Sequence, residues 1–255
     1  MRTTKASRAW AGLCAAALVA MGGCSNAHLS PAPTASRLPG GVNATVAATA
    51  GVRVTARAGV WAGSSSIRES VTPVLIQVDN RSGAAIRICY DQIRLRGADG
   101  RPYAALPPYD VEGAADAPVL GRTYPAVTPL YSHRRFWIAP YYARIYPGLA
   151  AFPGPFPFHP SYYRNRYAHW GALGASLPTP DMLRRAVPEG VLGDGGQVSG
   201  FLYFQRVDPG ARVVTLSAEI VNARAGQELG RVRIPFRVEA LAAAPGRGQE
   251  GRNHV

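Results

Sequence analysis

Six arginines and no acidic residue lie between Ala117 and Pro180: Arg122, Arg134, Arg135, Arg144, Arg164 and Arg166. Residues 107–170 also hold 9 of the 12 tyrosines, with Phe136, Trp137, Phe152, Phe156, Phe158 and Trp170, so charge and aromatic surface are concentrated together. A guanidinium pairs with phosphate through two parallel hydrogen bonds, and aromatic faces stack on sugars or cations. That chemistry makes Arg134, Arg135, Arg164 and Arg166, with Tyr141 and Tyr142, a candidate surface for an anionic glycan or a lipid phosphate. The same composition suits a covering flap, with Tyr141, Tyr142, Phe156 and Trp170 packed inward and the arginines in solvent. His133, His159 and His169 share the stretch, but their spacing matches no compact zinc motif and no carboxylate neighbours them in sequence. No metal site and no other cofactor is therefore expected. There is no G-x-S-x-G elbow, H-E-x-x-H pair, phosphate-binding glycine-lysine loop or paired-cysteine spacing. Gly63-Ser64-Ser65-Ser66 lacks the strand and second glycine of a nucleophile elbow and reads as a loop. A non-enzymatic protein is the leading expectation. A hydrolase with an unrecognised site stays open, because Asp110 or Glu112 could meet His133 in space.

The first 24 residues carry a second kind of chemistry. Arg2, Lys5 and Arg8 precede the apolar run Ala9 to Ala20, which ends in Met21-Gly22-Gly23-Cys24. A run this short does not span a bilayer, which needs about 20 apolar residues, and it reads as an export signal. The small residues before Cys24 resemble a bacterial lipobox, with Met21 in the place of the usual Leu. The resemblance implies cleavage before a diacylglyceryl-modified Cys24, a membrane anchor through the N-terminal lipid and a cell-envelope location. With Ser25 after the cysteine, it further implies the outer membrane, facing the periplasm, in a Gram-negative host. An ordinary secretory signal or an uncleaved anchor is the alternative. A lipidated Cys24 leaves Cys89 without a disulfide partner. Cys89 lies in the strand-like run Ile86 to Tyr90 and reads as a small buried residue rather than a reactive thiol.

The formal net charge is +13, of which three positive charges sit in residues 1–23, and Lys5 is the only lysine. Nucleic acid is excluded as a partner by the exported address. Another envelope protein, or an anionic glycan or lipid, is accessible.

Two blocks carry the elements that must position these residues. In the first, Val52, Val54 and Val60 open a strand, Val74, Ile76 and Val78 alternate, and Asp79-Asn80-Arg81-Ser82-Gly83 reads as a reversal. Ile86 and Ile88, then Ile93 and Leu95, continue the period of two, and Ala98-Asp99-Gly100-Arg101 turns the chain before Tyr103. In the second block, Phe201 to Phe204, Val213 to Val221, and Val232, Ile234, Phe236 and Val238 form strands separated by Asp208-Pro209-Gly210 and Ala225-Gly226-Gln227-Glu228. Seven or eight short strands at this spacing predict an all-β, antiparallel β-sandwich of immunoglobulin type, with a small barrel as the alternative.

Val74 to Asn80, Ile93 to Tyr103 and Gly200 to Phe204 resemble the immunoglobulin-like extracellular domain of many bacterial lipoproteins, in which a strand ends at an Asn turn, a "L…DG..Y" hairpin follows and a later "G.L.F" strand closes the sheet. The resemblance implies a fold, with no catalytic residue to carry over.

Eleven prolines in residues 107–170 rule out long helices or strands there and predict an ordered but irregular insertion. Thr179 at an N-cap and Pro180 at the first helical position then predict one short helix, ended by Pro188-Glu189-Gly190. The expected organisation is a signal peptide over 1–23 and a lipidated flexible tether over 24–50. A single β-sandwich domain over 51–241, with its insertion at 107–187, and a disordered tail over 242–255 follow. The leading function is a cell-envelope lipoprotein used for scaffolding or for contact with another envelope component.

Overall fold

The computed structural model describes residues 27–40, 43–108, 111, 132–153 and 179–240. The expected signal peptide over 1–23, Cys24 and the expected tail over 242–255 lie outside them. The fold is all-β and antiparallel, and it is organised around one long strand. This strand, β9 (Gly190–Gln205), has 16 residues and pairs on both of its edges. Along one edge runs β4 (Val71–Asn80), from Val71 opposite Gln205 to Asp79 opposite Gln197. Then β5 (Ile86–Ile88) continues in the same direction, from Ile86 opposite Leu192 to Ile88 opposite Gly190.

The Asp79 to Gly83 segment is therefore an interruption in a continuing strand, not the reversal expected of it. Asn80 holds the break. Its buried side-chain Nδ2 donates to the carbonyls of Ala84 at 2.8 Å, Leu192 at 3.0 Å and Gly193 at 3.1 Å, while Oδ1 accepts from Ser82 N and Oγ. The amide thus replaces the ladder where the backbone leaves it, and Gly83 supplies the positive φ of 77° that the detour needs.

The other edge of β9 takes β7 (Pro102–Leu106) and β8 (His133–Ile138). From β7 a tight turn leads back to β6 (Ile93–Gly97), where Gly97 N donates to Arg101 O at 2.8 Å and Gly100 has φ 86°. Beyond β6 lie β10 (Val213–Val221), β11 (Glu228–Ala240) and β1 (Ala27–Pro31). Beyond β4 lie β3 (Val52–Ala58) and β2 (Ala44–Thr49); β3 stops short of Val60, expected in the same strand, because Gly59 with φ 74° turns the chain away and leaves Val60 exposed.

All the described strands form one sheet, and its two ends approach each other. A Cβ on Gly230 of β11 would lie 2.5 Å from Thr49 Oγ1 of β2, and Ile86 of β5 bridges Asn222 at the end of β10. The sheet is accordingly barrel-like. Period-two alternation sends Val54, Ala56, Ile76, Val78, Leu202, Phe204, Leu216, Ile234 and Phe236 into one shared core. Each of these side chains larger than alanine contributes roughly 1.5–3 kcal/mol by leaving water.

Two expectations are corrected. The folded domain reaches back at least to Ala27 rather than starting at residue 51, because β1 and β2, both within the expected tether over 24–50, belong to the sheet. Their Ala, Ser and Thr residues show no apolar period, but ladder hydrogen bonds come from backbone groups and need none. Among the described residues there are two short α-helices where one was expected. These are α1 (Ile67–Ser70) and α2 (Pro180–Arg185), the latter capped as expected by Thr179 Oγ1 accepting from Met182 N at 3.2 Å. They cover the outer face of β4 and β9. There Trp61 stands edge-on to Phe201 and Tyr203, with centroids 5.0 and 5.7 Å apart, beside Ile67, Val71, Met182 and Ala186.

Candidate functional site

The proposed binding residues divide sharply once placed. In β8, Phe136 and Ile138 point into the core, whereas His133, Arg134 and Arg135 are exposed. Strict alternation with Phe136 and Ile138 would have buried Arg134. Arg134 escapes because the φ of 51° at Arg135 and a register shift between Arg134 and Phe136 break the alternation there. Opposite the shift, β9 bulges through Gly193-Asp194-Gly195-Gly196. Arg135 Nη1 donates to Asp194 O at 2.7 Å, and Asp194 Oδ1 accepts from Gly83 N at 3.0 Å.

The absence of a side chain at Gly193 lets the half-buried Trp137 ring lie directly over the backbone, since a Cβ there would be 3.0 Å from the indole. The result is a shallow surface of Arg134, Arg135 and Trp137 on a glycine-rich bulge. Arg134 is its freely presented cation. Arg135 is partly committed to holding the bulge.

The two neighbouring tyrosines part company in the 3-10 turn Pro140–Arg144 that follows β8. Tyr141 is 45 % exposed, while Tyr142 is 1 % exposed and lies in the core 6.2 Å from Tyr146. Tyr142 is therefore a packing residue and not a ligand contact, because successive residues of so tight a turn point in widely different directions. Tyr146 Oη donates to Leu183 O at 2.7 Å, and burial pushes its phenol far above the usual tyrosine value. Burial also raises Tyr203, whose hydroxyl donates to Met182 O at 3.0 Å. Both phenols hold α2 against the sheet as permanent donors.

Arg164, Arg166, Phe156, Trp170, His159, His169, Asp110 and Glu112 lie outside the described residues. Among the described residues no group of three or more His, Cys, Asp or Glu side chains could hold a metal ion.

Glu189 carried no sequence signal beyond its place in a helix stop, yet it is wholly buried. Its Oε1 accepts from Tyr90 N at 2.9 Å and from the Cys89 thiol at 3.1 Å, and its carbonyl accepts from Ala139 N at 2.9 Å. Tyr90 Oη donates to Val187 O at 2.6 Å. These bonds fasten the turn after β5, the start of β9 and the end of β8 into one corner. Cys89 is buried, as expected, and is enclosed there away from solvent.

At the opposite end of β9, Ala27 opens β1 in register with Ala240. Beside it runs a narrow groove of about 20 Å³, whose lining includes His28, Gly59, Trp61 and Arg68. No helix among the described residues is long and apolar enough to cross a membrane. The fold and these surfaces define an all-β, barrel-like domain with an arginine and tryptophan surface at one end. No protein-family model, curated protein or solved structure matches the chain.

Proposed function

We propose that the protein is a non-enzymatic cell-envelope lipoprotein, anchored by lipid on Cys24, whose barrel-like domain serves as a scaffold or contacts another envelope component. The order of basic residues, apolar run and small residues ending at Cys24 carries this reading. The start of β1 at Ala27 supports it, because every described strand lies after the expected cleavage point before Cys24. The likeness to immunoglobulin-like lipoprotein domains belongs to the same proposal. It is supported by β1, β11, β10 and β6 facing β9, β4, β3 and β2 across one core, with β7 joining the two halves. Cys24→Ala should abolish metabolic labelling by palmitate analogues, and unchanged labelling would overturn the anchor. In a Gram-negative host the intact protein should fractionate with the outer membrane. Recovery in the inner membrane would contradict that address.

A second reading, binding of an anionic glycan or lipid phosphate, is favoured by the adjacent exposure of Arg134 and Arg135 beside Trp137. Binding of phosphorylated glycolipid should fall steeply with salt, because exposed charges are screened over about 8–10 Å at physiological ionic strength. Arg134→Gln should weaken it without moving the melting temperature. Equal binding by the variant would remove this surface from consideration.

A further inference from the structure

We propose that the barrel stands directly on the bilayer, through the rim at Ala27, with Val60, Arg68, His28 and Arg212 turned toward the lipid headgroups. This rests on the reading of Cys24 as the lipidated residue. Three residue steps separate Cys24 from Ala27, and a fully extended chain covers at most about 11 Å over that distance. The headgroup layer of one leaflet is itself about 5–8 Å thick. A lipid on Cys24 therefore holds the first residue of β1 at the membrane surface, with no room for a stand-off tether.

The attachment point is rigid. β1 is laddered to β11 from Ala27 opposite Ala240 to Pro31 opposite Phe236, Leu29 is buried, and Ser30 Oγ donates to Glu239 at 2.9 Å. Fraying β1 to lengthen the leash would break that ladder and expose Leu29.

The register shows what else reaches this rim. β11 ends there, and β10 and β6 meet nearby, with Val213 opposite Arg237 and Val214 opposite Gly97. β3 ends at Ala58, opposite Val74, and the next residue, Gly59, lies against the His28 imidazole, where any Cβ would collide with the ring. Val60 follows at once. It is 38 % exposed and is one of two large hydrophobic side chains left open among the described residues; the other, Tyr141, follows β8 at the far end of β9.

The charges at the rim suit an anionic surface. Arg237 is paired with Glu239 at 2.6 Å and Arg101 with Asp208 at 3.4 Å. Arg212 is exposed and without an ion pair, and Arg68 donates to Trp61 O at 2.9 Å without a carboxylate partner. Glu69 is the one acid in the Gly59–Ser70 segment. A small apolar contact flanked by unpaired cations matches a headgroup layer containing anionic lipid, where basic side chains gain from the negative surface potential.

The opposite rim gives the control. Ala225, exposed in the turn from β10 to β11, is separated from Ala240 by the 13-residue length of β11, about 40 Å of strand. The full lipidated protein, with Val60→Cys or Ala225→Cys labelled by an environment-sensitive dye, would be placed in vesicles of phosphatidylethanolamine and phosphatidylglycerol containing a headgroup-bound nitroxide lipid. Buried Cys89 stays unlabelled, which the parent protein checks. The dye at residue 60 should be quenched several-fold more than the dye at 225. Equal quenching, or stronger quenching at 225, in protein that remains vesicle-bound overturns the orientation alone. Failure to bind vesicles together with no palmitate labelling overturns the Cys24 reading and the orientation with it, so the two failures are told apart.

Discussion

Two regions with unpromising sequences both supply strands to the barrel, but they are held in opposite ways. The Pro- and Tyr-rich segment from His133 to Leu149 is anchored by its side chains. Phe136, Ile138, Tyr142, Ile145, Tyr146 and Leu149 all enter the core. The N-terminal region from Ala27 to Thr49 contributes Leu29 and a few small residues and is held chiefly by backbone hydrogen bonds to β11, to β3 and to its own loop. The difference shows that a strand can be secured by buried area or by its ladder. Only the first leaves a hydrophobic signature in composition.

The largest test of this contrast is Tyr142→Ala, which should cost about 3–5 kcal/mol, the range for deleting a large buried aromatic. Tyr141→Ala, one residue away, should change stability by only about 0.5 kcal/mol. Thermal or denaturant melts of the two variants measure both, and equal losses would break the side-chain account of the insertion.

In the N-terminal region the sensitivity should lie in the backbone instead. Val46 is half-buried, and its N–H donates to Ser36 O at 2.9 Å. Val46→Pro removes that donor and should cost about 1–3 kcal/mol, whereas Val46→Thr keeps it and should stay within about 1 kcal/mol. A threonine variant as damaging as the proline would show that Val46 side-chain packing holds β2.

The smallest expected effect concerns β1. Glu239 is held below the usual glutamate range, first by the hydrogen bond from Ser30 and then by that from Arg237. A carboxyl depressed on folding stabilises the fold above its unfolded pKa, and that contribution is lost as pH falls through its folded value. Ser30→Ala should raise the Glu239 titration toward its ordinary position when followed by NMR, leaving the remaining acid-side loss to Arg237. An unchanged titration would mean that the contact between β1 and β11 does not persist in solution.

Much of the barrel was legible where a single physical signal acts alone. Val74, Ile76 and Val78, like Val232, Ile234 and Phe236, alternate because one face of each strand is buried. The Asp99-Gly100 and Asp208-Pro209-Gly210 turns were readable from residues that tolerate or impose special φ values. The N-cap at Thr179 was readable for the same kind of local reason. Of the candidate site, the exposure of Arg134 was anticipated. The parting of Tyr141 from Tyr142 was not, since a binding surface would present both and a flap would bury both; two adjacent tyrosines are identical in composition and differ only in the direction a 3-10 turn gives them. Glu189 was invisible because a buried carboxylate is recognised by the donors around it, and Tyr90 N and the Cys89 thiol come from about a hundred residues away.

By itself, then, the sequence determined the all-β class, the main alternating strands, the capped helix, the buried thiol and the absence of recognisable enzyme motifs. Each of these depends on local propensity or on the period with which apolar side chains recur. Tertiary structure alone decided that the sheet curls so that its ends meet, and that the Asn80 segment continues a strand instead of reversing it. It also brought β1 and β2 into the barrel and placed Ala27 beside the rim that carries Val60 and Arg68. Those outcomes depend on which backbone groups find partners across long stretches of chain, and a backbone hydrogen bond is the same for every residue except proline, so the side-chain alphabet does not record it.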